Sequence, residues 1–244
     1  LGERIIQSRN YQVLRLSFSS GPTGVAVGYT RGLPLTALFD SISPRFSLLD
    51  ARTPTASMEA MTAALSQTRR SLGRVLSLID IALWDACARV ADVPLRDMLG
   101  SHTERPFLMA VCGYYSGEKA DTALVEEALE TEARGHKFIK MIAPDRDDEG
   151  VKTLLALVRS SLSTDTHLAV DFFNSFPTVE RARTALEPLD NLGLDFIEDP
   201  FPSGHWRSYA ELYAHLHTPL AAGEDSVDSA EWNDLVELGG VDVV

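Results

Sequence analysis

The sequence has little cysteine, no long apolar run and fewer basic than acidic residues. Cys87 and Cys112 are the only cysteines among 244 residues, which argues against a disulfide scaffold and predicts reduced thiols in a cytoplasmic protein. No apolar run approaches the ~18 residues that a membrane-spanning helix needs, and no N-terminal stretch is typical of a signal peptide. Lys and Arg number 22 against 35 Asp and Glu, for a formal charge of −13. This balance argues against a nucleic acid or an anionic membrane as the partner.

The first ~104 residues predict a small α+β unit. Two alternating, β-branched runs flank a Ser-Ser-Gly-Pro-Thr-Gly stretch in residues 11–30, a pattern typical of a β-hairpin with a longer turn. Residues 72–91 then carry apolar side chains at three- and four-residue spacings, which indicates a buried helical stripe. We therefore expect residues 1–104 to form one domain and residues 105–244 to form another.

The second region has a regular alternation of short apolar runs and amphipathic stretches. Runs such as HKFIKMIA, HLAVDFF, LDFIED and PLAAGED are separated by segments with helical periodicity. Strand–helix alternation of this kind predicts right-handed parallel βαβ units. The runs are almost continuously apolar, as expected for strands covered on both faces.

Three of these predicted strands end in a carboxylate. Asp171, Glu198 and Glu224 follow one another at separations of 27 and 26 residues, about one βα unit each. By the two-residue alternation of strands, Glu224 is expected to share a face with Leu220 and Ala222. In a parallel barrel that face is the interior, and catalytic groups gather at the carboxyl ends of the strands.

Three converging carboxylates in a dry pocket need a cation. Oxygen ligands from three separate elements suit Mg²⁺, with substrate oxygens and waters completing an octahedron. The sequence therefore predicts that Asp171, Glu198 and Glu224 are magnesium ligands.

Lys140 lies one strand earlier and is predicted to point inward beside Asp171. One interpretation makes it a catalytic residue, because a neighbouring bound cation would lower its pKa toward that of a general base. The other makes it a structural lysine paired with a metal carboxylate. The sequence leaves both open. Asp199 is a further candidate for orienting Lys140 or the ligands.

Several segments together resemble the enolase superfamily, specifically the mandelate racemase and muconate lactonizing enzyme family. They occur in the family's order and spacing and cover essentially the whole chain: IDIALWDACARVADVPLRDMLG at 79–100, GHKFIKMI at 135–142, LAVDFF at 168–173, FIEDP at 196–200 and AAGED at 221–225. The resemblance implies an N-terminal α+β capping domain followed by a modified (β/α)₈-type TIM barrel.

The resemblance also implies a chemistry. It implies Mg²⁺ held by Asp171, Glu198 and Glu224, and abstraction of the proton α to a carboxylate through a metal-stabilised enediolate. The partner would be a small carboxylate such as a sugar acid or hydroxy acid, and the family implies a homo-oligomer.

Two positions depart from the family pattern. The family often has a Lys-x-Lys pair in which the second lysine is the base, but Ile142 occupies that position here. Phe173 stands where many relatives have an Asn, and the adjacent Asn174 is expected to face the other way. The resemblance then favours acid-sugar dehydratases with a His-Asp base from later strands. A racemase or epimerase and a catalytically silent relative stay as alternatives.

The length of the barrel region sets one more expectation. A (β/α)₈ barrel takes ~250 residues, whereas residues 105–244 supply five βα units and the start of a sixth strand. We therefore expect the C-terminal strands, with the opposing base, to lie beyond Val244.

Overall fold

A computed structural model of the chain describes residues 9–19, 21–101, 108–114, 117, 119–143, 146–226 and 228–244. The chain divides into two compact units, residues 1–105 and 106–244. Within the described residues, no helix is both long enough and apolar enough to cross a membrane. Cys87 and Cys112 are both free thiols.

The first unit is a β-hairpin and a set of helices. The strands pair antiparallel from Tyr11↔Tyr29 to Ser17↔Thr23, which confirms the predicted hairpin. Two short 3₁₀ segments, Ser43–Leu48 and Arg70–Leu72, connect the helices. The elements are β1 (Tyr11–Ser17), β2 (Thr23–Tyr29), α1 (Leu35–Ile42), α2 (Pro54–Ala64), α3 (Gly73–Ala91) and α4 (Leu95–Met98).

The hairpin packs closely against α3. A Cβ added to Gly24 would lie 1.8 Å from the Ala82 carbonyl oxygen, so only glycine permits this approach. The Val25 amide donates to Asp85 Oδ2 at 2.8 Å, which fixes β2 to the same helix. The predicted apolar stripe of α3 is buried beneath it, with Val75, Ile79, Ala82 and Leu83 fully buried.

The second unit contains a five-stranded parallel sheet in the order β3-β4-β5-β6-β7. Each successive pair of strands is joined through a helix, which confirms the predicted alternation. Val243 adds a parallel bridge to Ala221 at the last strand. The strands are β3 (Ala110–Cys112), β4 (Phe138–Ile142), β5 (His167–Asp171), β6 (Ile197–Glu198) and β7 (Leu220–Ala221).

The helices of this unit bury one face of the sheet in a large apolar core. Leu124, Leu154, Leu186 and Leu212 from successive helices are fully buried there, together with Ile139 of the sheet. The helices are α5 (Asp121–Ala133), α6 (Asp148–Ser161), α7 (Val179–Leu186), α8 (Trp206–Tyr213) and α9 (Ser229–Asn233), with a 3₁₀ segment at Glu187–Leu192 and a π-helical turn at Asp234–Leu238.

The opposite face of the sheet carries a second, smaller apolar cluster. Ala169, Phe196 and Ala221 are buried together there, and Phe138 packs against them. Leu220 and Ala222 instead belong to the core under the helices. The expectation that Glu224 shares an inward face with Leu220 and Ala222 is therefore wrong, because Ala221 is the inward residue of β7.

Candidate metal and carboxylate site

A lysine and two carboxylates meet at the carboxyl ends of the central strands. Lys140 Nζ lies 2.5 Å from Glu198 Oε2 and 3.5 Å from Asp171 Oδ2. The Lys140 and Asp171 side chains are nearly buried, at 10% and 5% exposure, so this is an interior ionic group.

Strand register brings these three residues together. Lys140 pairs with Ala169, two residues before Asp171, and Asp171 pairs directly with Glu198. Lys140 follows Phe138 by two residues and Asp171 follows Ala169 by two, so both continue the inward face of the sheet. The sequence predicted this grouping for Lys140, Asp171 and Glu198.

Lys140 is held in its charged form. Burial opposes the charge, but hydrogen bonding and attraction to Glu198, together with the charge of Asp171, raise the lysine pKa above its usual value. The ion pair with Glu198 and Asp171 is the geometry that the paired interpretation expects, and the general-base interpretation, which depends on a neighbouring bound cation, stays a prediction.

The neighbouring acids are destabilised in their ionised form. Burial is the main cause of the raised pKa of Glu198; Lys140 opposes it, while Asp171 and Glu224 add repulsion. The pKa of Asp199 is raised to about 7, by burial first and then by the charges of Glu198, Asp171, Glu224 and Asp225. Five acidic side chains therefore repel one another electrostatically at this end of the sheet.

Asp199 occupies an unusual backbone and side-chain environment. It has a φ of +44°, rare for a residue with a side chain, and it is 2% exposed. Its amide donates to the Ala221 carbonyl and its own carbonyl accepts from the Asn174 amide, at 2.9 and 2.6 Å. Oδ1 of Asp199 is buried and makes no hydrogen bond within the described residues. Asp199 thus ties β5, β6 and β7 together while keeping an unsatisfied oxygen beside the acidic group.

Glu224 lies on a turn after β7 rather than on the strand itself. Gly223 has a φ of +126°, a conformation open to glycine, and this residue interrupts the two-residue alternation. Glu224 is exposed, and its charge reaches both Glu198 and Asp199. Strand parity alone could not have placed this carboxylate.

The two departures from the family pattern also lie at this end. Ile142 is 6% exposed and pairs in register with Asp171, so an apolar side chain stands beside the acids. Phe173 and Asn174 both have positive φ, and the Phe173 amide donates to Asp171 Oδ1 at 2.9 Å. The alternation used to assign opposite directions to Phe173 and Asn174 does not apply to this left-handed backbone.

The donors fit a hard divalent cation in their chemistry. Within the described parts of the chain, no three His, Cys, Asp or Glu side chains form a ready-made metal-binding group. The acids nevertheless supply only oxygen donors, follow three successive strands and repel one another, and Asp199 leaves a buried oxygen unsatisfied. Lys140 supplies only one positive charge to these acids, and a divalent cation such as Mg²⁺, which prefers oxygen ligands, would supply more.

A family comparison agrees with the fold. Residues 123–244, half of the chain, match the family described as enolase C-terminal domain-like. The chain belongs to the enolase superfamily. The resemblance drawn from the sequence segments is thereby confirmed.

Curated relatives in this superfamily act on acid sugars by name. The chain is 29% identical over 170 residues to the arabinonate dehydratase of Saccharolobus solfataricus, covering 69% of this chain and 45% of that protein. It is also 29% identical over 164 residues to the L-talarate/galactarate dehydratase of Salmonella typhimurium, covering 67% and 40%. The chain thus spans less than half the length of these relatives.

Solved structures of the superfamily share the fold. A racemase from Streptomyces coelicolor with bound magnesium aligns with a TM-score of 0.83 at 24% identity, covering 98% of this chain and 72% of that one. A Bradyrhizobium enolase complexed with magnesium and mandelic acid aligns with a TM-score of 0.82 at 23% identity, covering 97% and 66%. The predicted α/β, TIM-barrel-type fold class is confirmed. Within the described residues, five adjacent strands form part of such a sheet and do not close it into a barrel.

Proposed function

We propose that the chain acts in Mg²⁺-dependent removal of the proton α to a carboxylate, most simply in the dehydration of a sugar acid. The observation that carries the proposal is the crowded acidic group at the strand ends, where Asp171 and Glu198 share Lys140 and Glu224 contributes its charge. Dehydratase relatives that act on arabinonate and on talarate or galactarate support this substrate class.

Asp171, Glu198 and Glu224 would hold the cation. When bound, Mg²⁺ supplies positive charge opposite the negative charge that develops on the substrate carboxylate. Strand register pre-places Asp171 and Glu198, so little reorganisation is required of these two carboxylates.

Lys140 and Ile142 have different parts in this proposal. Lys140 keeps its proton and presents a fixed ammonium group to Glu198 and Asp171, which stabilises their ionised forms. Ile142 can exclude water beside Asp171 but cannot accept a proton. We therefore assign removal of the substrate proton to a different residue. A racemase or epimerase would use the same acidic group and the same cation.

A catalytically silent relative is the second candidate function. The specific observation in its favour is the apolar Ile142, buried at the end of β4 where the family often places a catalytic lysine. Such a protein would bind Mg²⁺ and a carboxylate without removing the α-proton.

The experiment is incubation of the purified protein with Mg²⁺ and a panel of sugar acids and 2-hydroxy acids in D₂O. NMR follows α-deuterium incorporation and water loss separately. Dehydration of a sugar acid, abolished in Glu224→Gln and retained in the exposed control Glu130→Gln, supports the proposal. Exchange or inversion without water loss identifies a racemase. Neither reaction, in a protein that binds Mg²⁺, identifies the silent relative.

A further inference from the structure

The turn that carries Glu224 is held differently from the other two acids. The Ser226 amide donates to the Gly223 carbonyl at 3.0 Å, which closes a turn with Glu224 and Asp225 at its centre. On the preceding side, the Ala222 amide donates to the Val243 carbonyl at 3.1 Å. The direction of the Glu224 carboxylate therefore depends on where this turn rests rather than on strand geometry.

An indole ring lies close to the glycine of the turn. A Cβ built on Gly223 would be 3.8 Å from Trp232 Cζ2 and 3.9 Å from Cε2 and Cη2, ordinary van der Waals distances. Trp232 therefore covers the side of Gly223 on which every other residue carries its side chain. The ring therefore lies about one methyl group away from Gly223 and limits how far the turn can move toward α9.

Trp232 is not the residue that packs α9 and the following π-helical turn into the apolar core. It is 39% exposed, whereas Leu235, three residues later, is fully buried in the core beneath the sheet. Leu235 therefore provides the apolar anchor, and the partly exposed indole lies outside that core.

Hydrogen bonds at the start of α9 hold the segment that carries the indole. Asp228 Oδ1 accepts hydrogen bonds from the Ala230 and Glu231 amides, both at 3.1 Å, as a helix N-cap. The Trp232 amide donates to the Asp228 carbonyl at 3.4 Å. The cap therefore places Trp232 in the first turn of α9.

We propose that Trp232 is a positioning residue for Glu224. Its indole supports the Gly223–Ser226 turn and keeps the Glu224 carboxylate directed toward Asp171 and Glu198. This inference rests on the proposed magnesium site, because its consequence is a higher affinity of that site for the cation.

The first test measures Mg²⁺ affinity by calorimetry, with MgCl₂ as the only ligand. Trp232→Ala should weaken Mg²⁺ binding by roughly tenfold or more, the usual cost of losing a residue that orients a metal ligand. Trp232→Phe keeps a flat ring against Gly223 and should retain most of the affinity. Trp206→Phe, a tryptophan change in α8, is the matched control and should leave the affinity unchanged. A thermal midpoint without Mg²⁺ shows whether each variant is folded.

The second test uses tryptophan emission. If Trp232 had a purely structural role, its emission would not respond to Mg²⁺. Mg²⁺ should alter the emission of the wild-type protein and of Trp206→Phe with the midpoint found by calorimetry. The change should be lost in Trp232→Phe, although that variant still binds, and in Glu224→Gln. Normal affinity in a folded Trp232→Ala, or an emission change that persists in Trp232→Phe, overturns the role of Trp232 alone. Absence of Mg²⁺ binding to the wild-type protein overturns the magnesium site and the positioning role together.

Discussion

The two ends of the parallel sheet treat their acidic side chains in opposite ways. At the amino ends, Asp195 accepts from the Leu168 amide and contacts His167, and Asp190 accepts from the Thr218 amide and hydroxyl. At the carboxyl ends, burial first and then the charges of neighbouring acids raise the pKa of Glu198 and Asp199, with Lys140 opposing the shift of Glu198. The ionised form of Asp190 at the amino ends is favoured, whereas the ionised forms of Glu198 and Asp199 at the carboxyl ends are disfavoured.

Backbone donors account for this difference. The pKa of Asp190 is lowered: burial opposes ionisation, but hydrogen bonds from the His217 and Thr218 amides outweigh it. Asp199 Oδ1 makes no hydrogen bond within the described residues. This agrees with the general rule for barrels of this type, in which the amino-terminal face contributes stability and the carboxyl-terminal face carries chemistry.

The largest expected effect comes from replacing Lys140, the positively charged side chain at the carboxyl ends of the strands. Lys140→Met should destabilise the metal-free protein by about 3–5 kcal/mol, because it leaves Glu198 and Asp171 buried without their shared ammonium group. Urea unfolding in EDTA measures this loss. Lys137→Met removes an ion pair with Asp165 that is half exposed, and should cost less than about 1 kcal/mol. Equal losses in the two variants would remove the distinction between the two ends.

The next effect is a pH dependence with opposite signs at the two ends. Asp199 has a folded pKa of about 7, above the unfolded value near 3.8, so its contribution to stability is present at low pH and is lost as the pH rises from about 4 through about 7. Each unit between the two pKa values is worth about 1.4 kcal/mol. Asp199→Asn, unfolded in EDTA across this range, should lose that decline. A slope identical to that of the wild-type protein would contradict the raised pKa.

A smaller effect is expected at the amino ends. Asp190→Asn should cost about 2 kcal/mol at neutral pH, because it weakens charge-assisted hydrogen bonds to the Thr218 hydroxyl and two amides. The lowered pKa of Asp190 means that its contribution is present above the unfolded value and is lost as the pH falls, the reverse of Asp199. Calorimetry should show unchanged Mg²⁺ affinity. A loss of affinity would contradict the assignment of Asp190 to the amino-end acids that have no part in metal binding.

The sequence predicted those parts of the molecule that depend on periodicity. The hairpin, the buried stripe of α3 and the strand–helix alternation follow from patterns of two and of three to four residues, and Lys140, Asp171 and Glu198 meet because they continue regular strands. The pattern failed where the backbone departs from a strand. Gly223 redirects Glu224, and the left-handed Phe173 and Asn174 have no regular alternation.

Tertiary features account for the other part that the sequence did not predict. The unsatisfied oxygen of Asp199 and the proximity of Trp232 to Gly223 depend on how separate segments pack together. The glycine in AAGED was the available signal for a turn at Glu224. No pattern in the neighbouring sequence predicts that Trp232 lies close to this glycine.

Calorimetric titration of the purified protein with Mg²⁺, without substrate, is the most direct test of a divalent-cation site at the carboxyl ends of the sheet. We predict one saturable site that is lost in Asp171→Asn at the carboxyl ends and retained in Asp195→Asn at the amino ends. Both variants replace a carboxylate by an amide of similar size, so the comparison isolates the position of the charge. No saturable binding, or equal affinity in the two variants, would contradict a divalent-cation site at the carboxyl ends of the sheet.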